Sequence, residues 1–178
     1  DYDDPHKPPF NPRALQFGDT VRTLHKRLPT VLQSSLPADI LNAQVELRLF
    51  PSTHPHLPAV RGRLAYTAAL CTAPMAWGRV PLVGNVRLSI LSEQLIKQNA
   101  FGSKGGERLV VKWRTSGRAR EIGPDKDEFT GIFIFTFDED GRIGTHVIEH
   151  AEESKHYDRM KVISVTDWLL SQMVGRPE

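Results

Sequence analysis

One five-residue string in this sequence is built from groups able to move protons or hold a metal: His146-Val147-Ile148-Glu149-His150. H-x-x-E-H holds zinc when it is helical, because residues four apart then lie on one face about 6 Å apart. Here the string follows a hairpin signal, Asp138-Glu139-Asp140-Gly141, and an apolar β-rich run. On a strand His146 and His150 still share a face, but stand ~13 Å apart at ~3.3 Å per residue. Zn–N bonds are ~2 Å long, so one ion cannot join them. No metal site and no cofactor is therefore expected. A metal-free reading survives. Strand residues alternate, and positions 146 and 149 differ by three, so one of His146 and Glu149 faces the domain interior. An inward histidine could hydrogen-bond a ligand or act as general base. The hairpin register decides between them, since a one-residue slip exchanges the faces. The bland alternative is a hydrogen-bonded polar residue of the sheet.

Other candidates are weaker. Tyr66, on a helix expected over residues 61–77, would set its hydroxyl at a pocket mouth unless simple packing explains it. His54 and His56 could clip a metal, but they sit in a proline-rich loop where histidine is often idle. Cys71 is the only cysteine, which excludes an intramolecular disulfide and a multi-cysteine zinc site. Its place beside Leu64 and Ala68 predicts a small core residue rather than a reactive thiol. Gly102-Ser103-Lys104-Gly105-Gly106 lacks the spacing of a phosphate loop and the Ser/Thr after Lys, so it reads as a turn. Arg108, Lys112 and Arg114 share one strand face, with Arg118 and Arg120 following. Such a stripe could dock RNA, an acidic protein or an anionic lipid surface. The plain alternative is a solvated face balanced by Asp125, Asp127 and Glu128. Interleaved aromatics, expected for single-strand stacking, are absent from it.

The elements that must position these groups follow from length and period. A chain of 178 residues favours one domain. Its 39% hydrophobic and 25% charged content argues against wholesale disorder. A net charge of +2 is too weak to imply nucleic acid. No stretch approaches the ~18 apolar residues of a membrane span. Because the first residue is Asp1, the lack of a targeting segment carries no weight. Residues 1–16 read as a flexible proline-rich arm with Phe10 as its one anchor, and Asn11-Pro12 as a helix-start signal. Residues 17–152 form the domain, and 153–178 a charged segment and closing helix. Phe17, Val21, Leu24, Leu28, Val31 and Leu32 make one helical stripe, broken near Pro29. A short turn at 36–39 leads into a strand over 45–50. Beyond residue 85 the period becomes two. Leu109, Val111 and Trp113 take one side of a strand. Phe133, Phe135 and Phe137 face one way and Ile132 and Ile134 the other, so that strand should be central and covered on both sides. A helix over 165–174 offers Trp168, Leu169 and Met173 for packing. Helices followed by a long meander make an α+β pattern.

This order, with Val45-Glu46-Leu47-Arg48-Leu49-Phe50-Pro51, then Val60-Arg61-Gly62-Arg63-Leu64-Ala65-Tyr66, Lys112-Trp113-Arg114 and the strand pair 131–137 and 141–150, resembles the nuclear-transport-factor-2-like (SnoaL-like, polyketide-cyclase-like) superfamily. More narrowly, the chain is similar to an uncharacterised family with fungal mitochondrial members and relatives in plants and animals. The resemblance implies an α+β fold: a cone-shaped, curved antiparallel sheet wrapped around N-terminal helices, with a C-terminal helix. It implies a pocket inside the cone, but not one activity. Where members are enzymes, carboxylates or an Asp/His pair work in that pocket; here Phe50-Pro51 replaces the frequent Asp-Pro after the first strand. The expectation is a non-catalytic binding or scaffold domain, mitochondrial by resemblance. Its partner would be a protein, a second copy through the sheet, RNA or a lipid surface, as in a ribosome- or membrane-associated adaptor. The rival expectation is a metal-free isomerase, cyclase or dehydratase using Tyr66, His146 or Glu149, or a cone holding a small apolar ligand.

Overall fold

The computed structural model describes residues 9–76, 87–97, 105–116, 130–151 and 162–174. Helix α1 spans Pro12–Arg27, and Asn11 caps it by accepting from the Ala14 amide at 3.2 Å. Side-chain capping with proline in the first turn is what the Asn11-Pro12 pair predicts. The helix thus takes in residues 12–16, assigned above to the flexible arm. Arg13 is the reason it holds there: its guanidinium grips Glu107 at 2.9 and 2.6 Å and also donates to the Asp138 carbonyl. Phe10, expected as an anchor, is 79% exposed, because it lies before the cap and outside that grip. At Pro29 the helix gives way to a 3-10 turn, Leu28–Thr30, and a second such turn, Ala38–Ile40, opens into β1, Leu41–Leu49.

After β2 (Val60–Arg61) comes α2 (Arg63–Ala76), then β3 (Arg87–Ile96), β4 (Arg108–Ser116), β5 (Thr130–Phe137), β6 (Ile143–His150), β7 (Val162–Ser164) and α3 (Val165–Val174). The sheet order is β2-β1-β6-β5-β4-β3-β7. The meander β3 to β6 is antiparallel, whereas β1 joins it parallel to β6, with Leu47 beside His146. Register shifts interrupt β1–β6, β3–β4 and β5–β6, and irregularities of this kind bend a sheet. The two outermost strands have only two and three residues, which leaves little open edge.

The stripe of α1 and the turn that follows it is buried in full, from Phe17 to Leu32, against the hollow side of the sheet. There it meets Leu109, Val111, Trp113, Phe133, Phe135 and Phe137. Phe17 packs edge-on to Phe137 (4.9 Å between centroids) and to Trp168 of α3 (5.5 Å). Trp113 fits because its cross-strand partner is Gly131, where a methyl group would collide with the indole. Central β5 is covered on both sides as its alternation predicts, since Ile132 and Ile134 are buried with Val110 and Ile96 on the outer face.

Two packing expectations fail. α2 buries Tyr66 and Leu70, while Leu64 is 86% exposed and Cys71 is also exposed. The helix is rich in small residues, so its apolar period does not select a face; the seat of the large Tyr66 ring does. In α3, Trp168 is buried but Met173 is 75% exposed, one turn past the last residue that meets the core.

Candidate functional site

The central question on β6 was register. Asp138 settles it: its carboxylate accepts from the Arg142 and Asp140 amides and from Asn42, and Gly141 takes φ +81° in the tight return. A side chain at 141 would also press on the backbone of Phe17 and Arg13. The register pairs His146 with Phe135 and points His146 inward, so Glu149 lies on the other face.

His146 is wholly buried and so is Tyr66, which arrives from α2. Their Oη and Nδ1 atoms are 2.8 Å apart. The imidazole stacks on Phe135 (4.1 Å, 28°) and meets Phe133 edge to face (4.7 Å, 85°). Burial pushes the imidazole down to about 3 and the phenol above its ordinary value, so both are neutral at physiological pH. If the phenol donates to Nδ1, the ring proton sits on Nε2, which is buried with no hydrogen-bond partner. The opposite tautomer would strand the phenol hydrogen as well as an Nε2 lone pair, so the first is favoured. A neutral imidazole held this way could donate from Nε2, with the phenol fixing its tautomer. Tyr66 thus lies on the floor of the hollow rather than at a pocket mouth, which is the packed alternative: α2 turns it straight down onto β6.

Glu149 serves the rim instead. It accepts from the Ser52 amide at 3.1 Å and from the Ser52 hydroxyl at 2.6 Å, pinning the turn after β1. That turn starts at Phe50, the one non-glycine residue with positive φ (47°) among the described residues, and its ring stacks on His150 at 4.5 Å. His146 and His150 share the inward face of a strand, so the helical zinc arrangement does not exist here. His54 and His56 are exposed, with ring centroids 5.9 Å apart. Among the described residues no three His, Cys, Asp or Glu side chains converge as a metal site would need.

The basic residues are placed as the alternation predicts, with Arg108 and Lys112 half-buried and Arg114 exposed on the outer face. Buried Val110 interrupts them, and across β5 they face Thr136, Ile132 and Thr130. The basic groups are therefore set apart by buried apolar residues rather than running as one continuous row. Arg118 and Arg120 lie outside the described residues. Sequence reasoning named both members of the buried pair but never joined them, because their contact spans 80 positions. It missed Ser52 altogether; a turn hydroxyl ahead of proline-rich sequence gives no signal of its distant carboxylate.

The curved sheet around α1, with α2 in the hollow and α3 at the end, has the α+β order that the resemblance implies. Solved structures similar to this chain include one described as a SnoaL-like polyketide cyclase from Jannaschia, at 12% identity and TM-score 0.49, covering 96% of this chain and 99% of that one. Another is a steroid delta-isomerase from Pseudomonas aeruginosa, at 15% identity and TM-score 0.48, covering 89% and 92%. Among curated proteins, the meiotically up-regulated gene 163 protein of Schizosaccharomyces pombe is 28% identical over 141 residues, 79% of this chain and 70% of that protein. The family model described as "mitochondrial protein up-regulated during meiosis" matches residues 2–125 and 123–177, and the chain belongs to that family.

Proposed function

We propose that this chain is a non-catalytic binding or scaffold domain that works in mitochondria and docks a protein partner on the outer face of its sheet. The observation that carries this reading is the filled hollow. Trp113, Phe133, Phe135, Tyr66 and His146 are all wholly buried, so among the described residues aromatic rings pack closely around the Tyr66–His146 pair. An enzyme pocket normally combines converging polar groups with an enclosed volume for the ligand. Support for the docking face comes from its mixture of buried Val110 and Ile132 with the basic Arg108, Lys112 and Arg114. A protein suits it better than single-stranded nucleic acid, since the stripe carries no aromatic side chain for base stacking. The mitochondrial setting is supported by the family's description.

The test is cross-linking in intact mitochondria followed by mass spectrometry. The triple variant Arg108→Gln, Lys112→Gln, Arg114→Gln should lose a cross-linked protein that Tyr66→Phe retains. Equal recovery of the same protein by the triple variant would sink the reading.

A second reading is favoured by one observation, the unpartnered Nε2 of His146 held in a fixed tautomer by Tyr66. It makes the hollow a metal-free isomerase, cyclase or dehydratase site, or a seat for a small apolar ligand, that opens by repacking Phe133 and Phe135. Enzyme action would then fall at least tenfold in Tyr66→Phe while partner cross-linking stayed intact.

A further inference from the structure

On the helix side of the molecule, away from the outer sheet face, an open cleft of about 590 Å³ separates the segment after α1 from the first turns of α2. That volume falls within the range used for small organic ligands, ~300–1,000 Å³. Its floor is apolar and firm, for Leu36 and Leu41 belong to the main core and are 4% and 1% exposed. Leu64 of α2, conspicuous as a bare leucine 86% exposed, stands at its edge. Two guanidinium groups complete the lining, Arg27 from the end of α1 and Arg63 from the start of α2, with Ser35 nearby. Among the described residues no carboxylate lines the cleft.

Arg63 is not a loose surface arginine. Its Nε and Nη2 both donate to the Leu41 carbonyl, at 3.1 and 2.8 Å, which fixes the plane of the guanidinium at the cleft wall. A carbonyl accepts hydrogen bonds without neutralising charge, so the cation keeps its field and its remaining donors. Among the described residues neither Arg27 nor Arg63 is paired with an acid, whereas Arg13, Arg22, Arg48 and Arg61 each are. A pre-oriented guanidinium and a second one across a small apolar floor match an oxyanion head with an apolar body.

We infer that this cleft binds a small amphipathic anion, its carboxylate or phosphate head on Arg27 and Arg63 and its apolar body over Leu36, Leu41 and Leu64. Being open to water, the site should bind weakly, with head-group strength that falls as salt rises. The proposal is independent of the outer-face partner.

The test is a calorimetric and NMR titration of the full chain with octyl phosphate and octanoate, beside octanol and inorganic phosphate. The amphipathic anions should saturate, shifting the methyl signals of Leu36 and Leu64, with octanol and inorganic phosphate at least tenfold weaker. A preference between octyl phosphate and octanoate assigns the head. Arg27→Gln, at an exposed residue with no side-chain partner to lose, should weaken octyl phosphate about tenfold at unchanged melting temperature. Arg63→Gln also removes the tie to Leu41, so Arg27→Gln remains the deciding variant should Arg63→Gln unfold. Octanol binding as tightly as octyl phosphate, or Arg27→Gln binding as tightly as the native chain, overturns the inference.

Discussion

Phe135 and Ile134 are neighbours on the same central strand, both buried, yet they belong to different worlds. Phe135 joins a cluster that runs without a break from α1 through the hollow of the sheet to α3. Ile134 belongs to a small patch with Val110, Ile132 and Ile96 on the outer face, flanked by lysine and arginine. The hollow side holds the larger cluster and buries the Tyr66–His146 pair. The outer-face patch is small, four buried residues with Val147 packed against them, and it is separate from the main core. Burial alone therefore does not say which cluster a residue belongs to; continuity with the rest of the core does.

The strongest way to break that contrast is truncation on each side. Phe135→Ala should cost about 3–5 kcal/mol in chemical unfolding, and Ile134→Ala only about 2. Equal losses would mean that the two faces share the load. Acid tests the polar pair inside the hollow. The histidine is held at about 3 when folded against an ordinary 6.5 when unfolded, so the unfolded chain binds the extra proton as pH falls. Its neutral burial is thus fully tolerated above pH ~6.5 and loses about 1.4 kcal/mol of stability per pH unit below that, down to the folded value. Between pH 6.5 and 4.5 the native chain should lose roughly 2 kcal/mol more than His146→Gln does. Parallel curves for the two proteins would place His146 in contact with solvent. Gly131→Ala sharpens the packing claim: a methyl under Trp113 should cost about 1–3 kcal/mol, and a neutral result would show that the indole can slide. The smallest effect is expected from a chelator, which should leave the melting temperature unchanged. A drop that zinc restores would revive the histidines of β6 as ligands.

Where a residue's neighbours are local, the sequence was legible. The stripe from Phe17 to Leu32, the two-sided β5, the Asp138–Gly141 return and the start of α1 at Asn11-Pro12 follow from period, cap and turn chemistry within a dozen residues. Where the deciding partner is remote, it was not. α2 is rich in small apolar residues, so remote partners fix its rotation, His146 for Tyr66 and the Leu41 carbonyl for Arg63, and the expected burial of Cys71 fails for that reason. The same holds for the candidate site: strand parity required one of His146 and Glu149 to point inward, but the choice rests on Asp138 and its ties to Asn42 and Arg142. The cleft between Arg27 and Arg63 needs α1 and α2 brought side by side, and no spacing announces that.

The parallel seam between β1 and β6 joins residues about a hundred positions apart. Loop closure of that length makes for slow assembly, because its entropy is spent before any contact forms. The β4–β5–β6 hairpins close over far shorter loops and should form the folding nucleus, with β1 and α1 docking last. A chain delivered N-terminus first, from a ribosome or through a translocation pore, must therefore carry β1 and its apolar Leu41, Val45 and Leu47 with no neighbour but the two-residue β2 until residue 150 has emerged. Pulsed hydrogen exchange during refolding should protect amides of 130–150 before those of 41–49, and the reverse order would place nucleation in the N-terminal half. During that interval the waiting strand is the segment most in need of a chaperone.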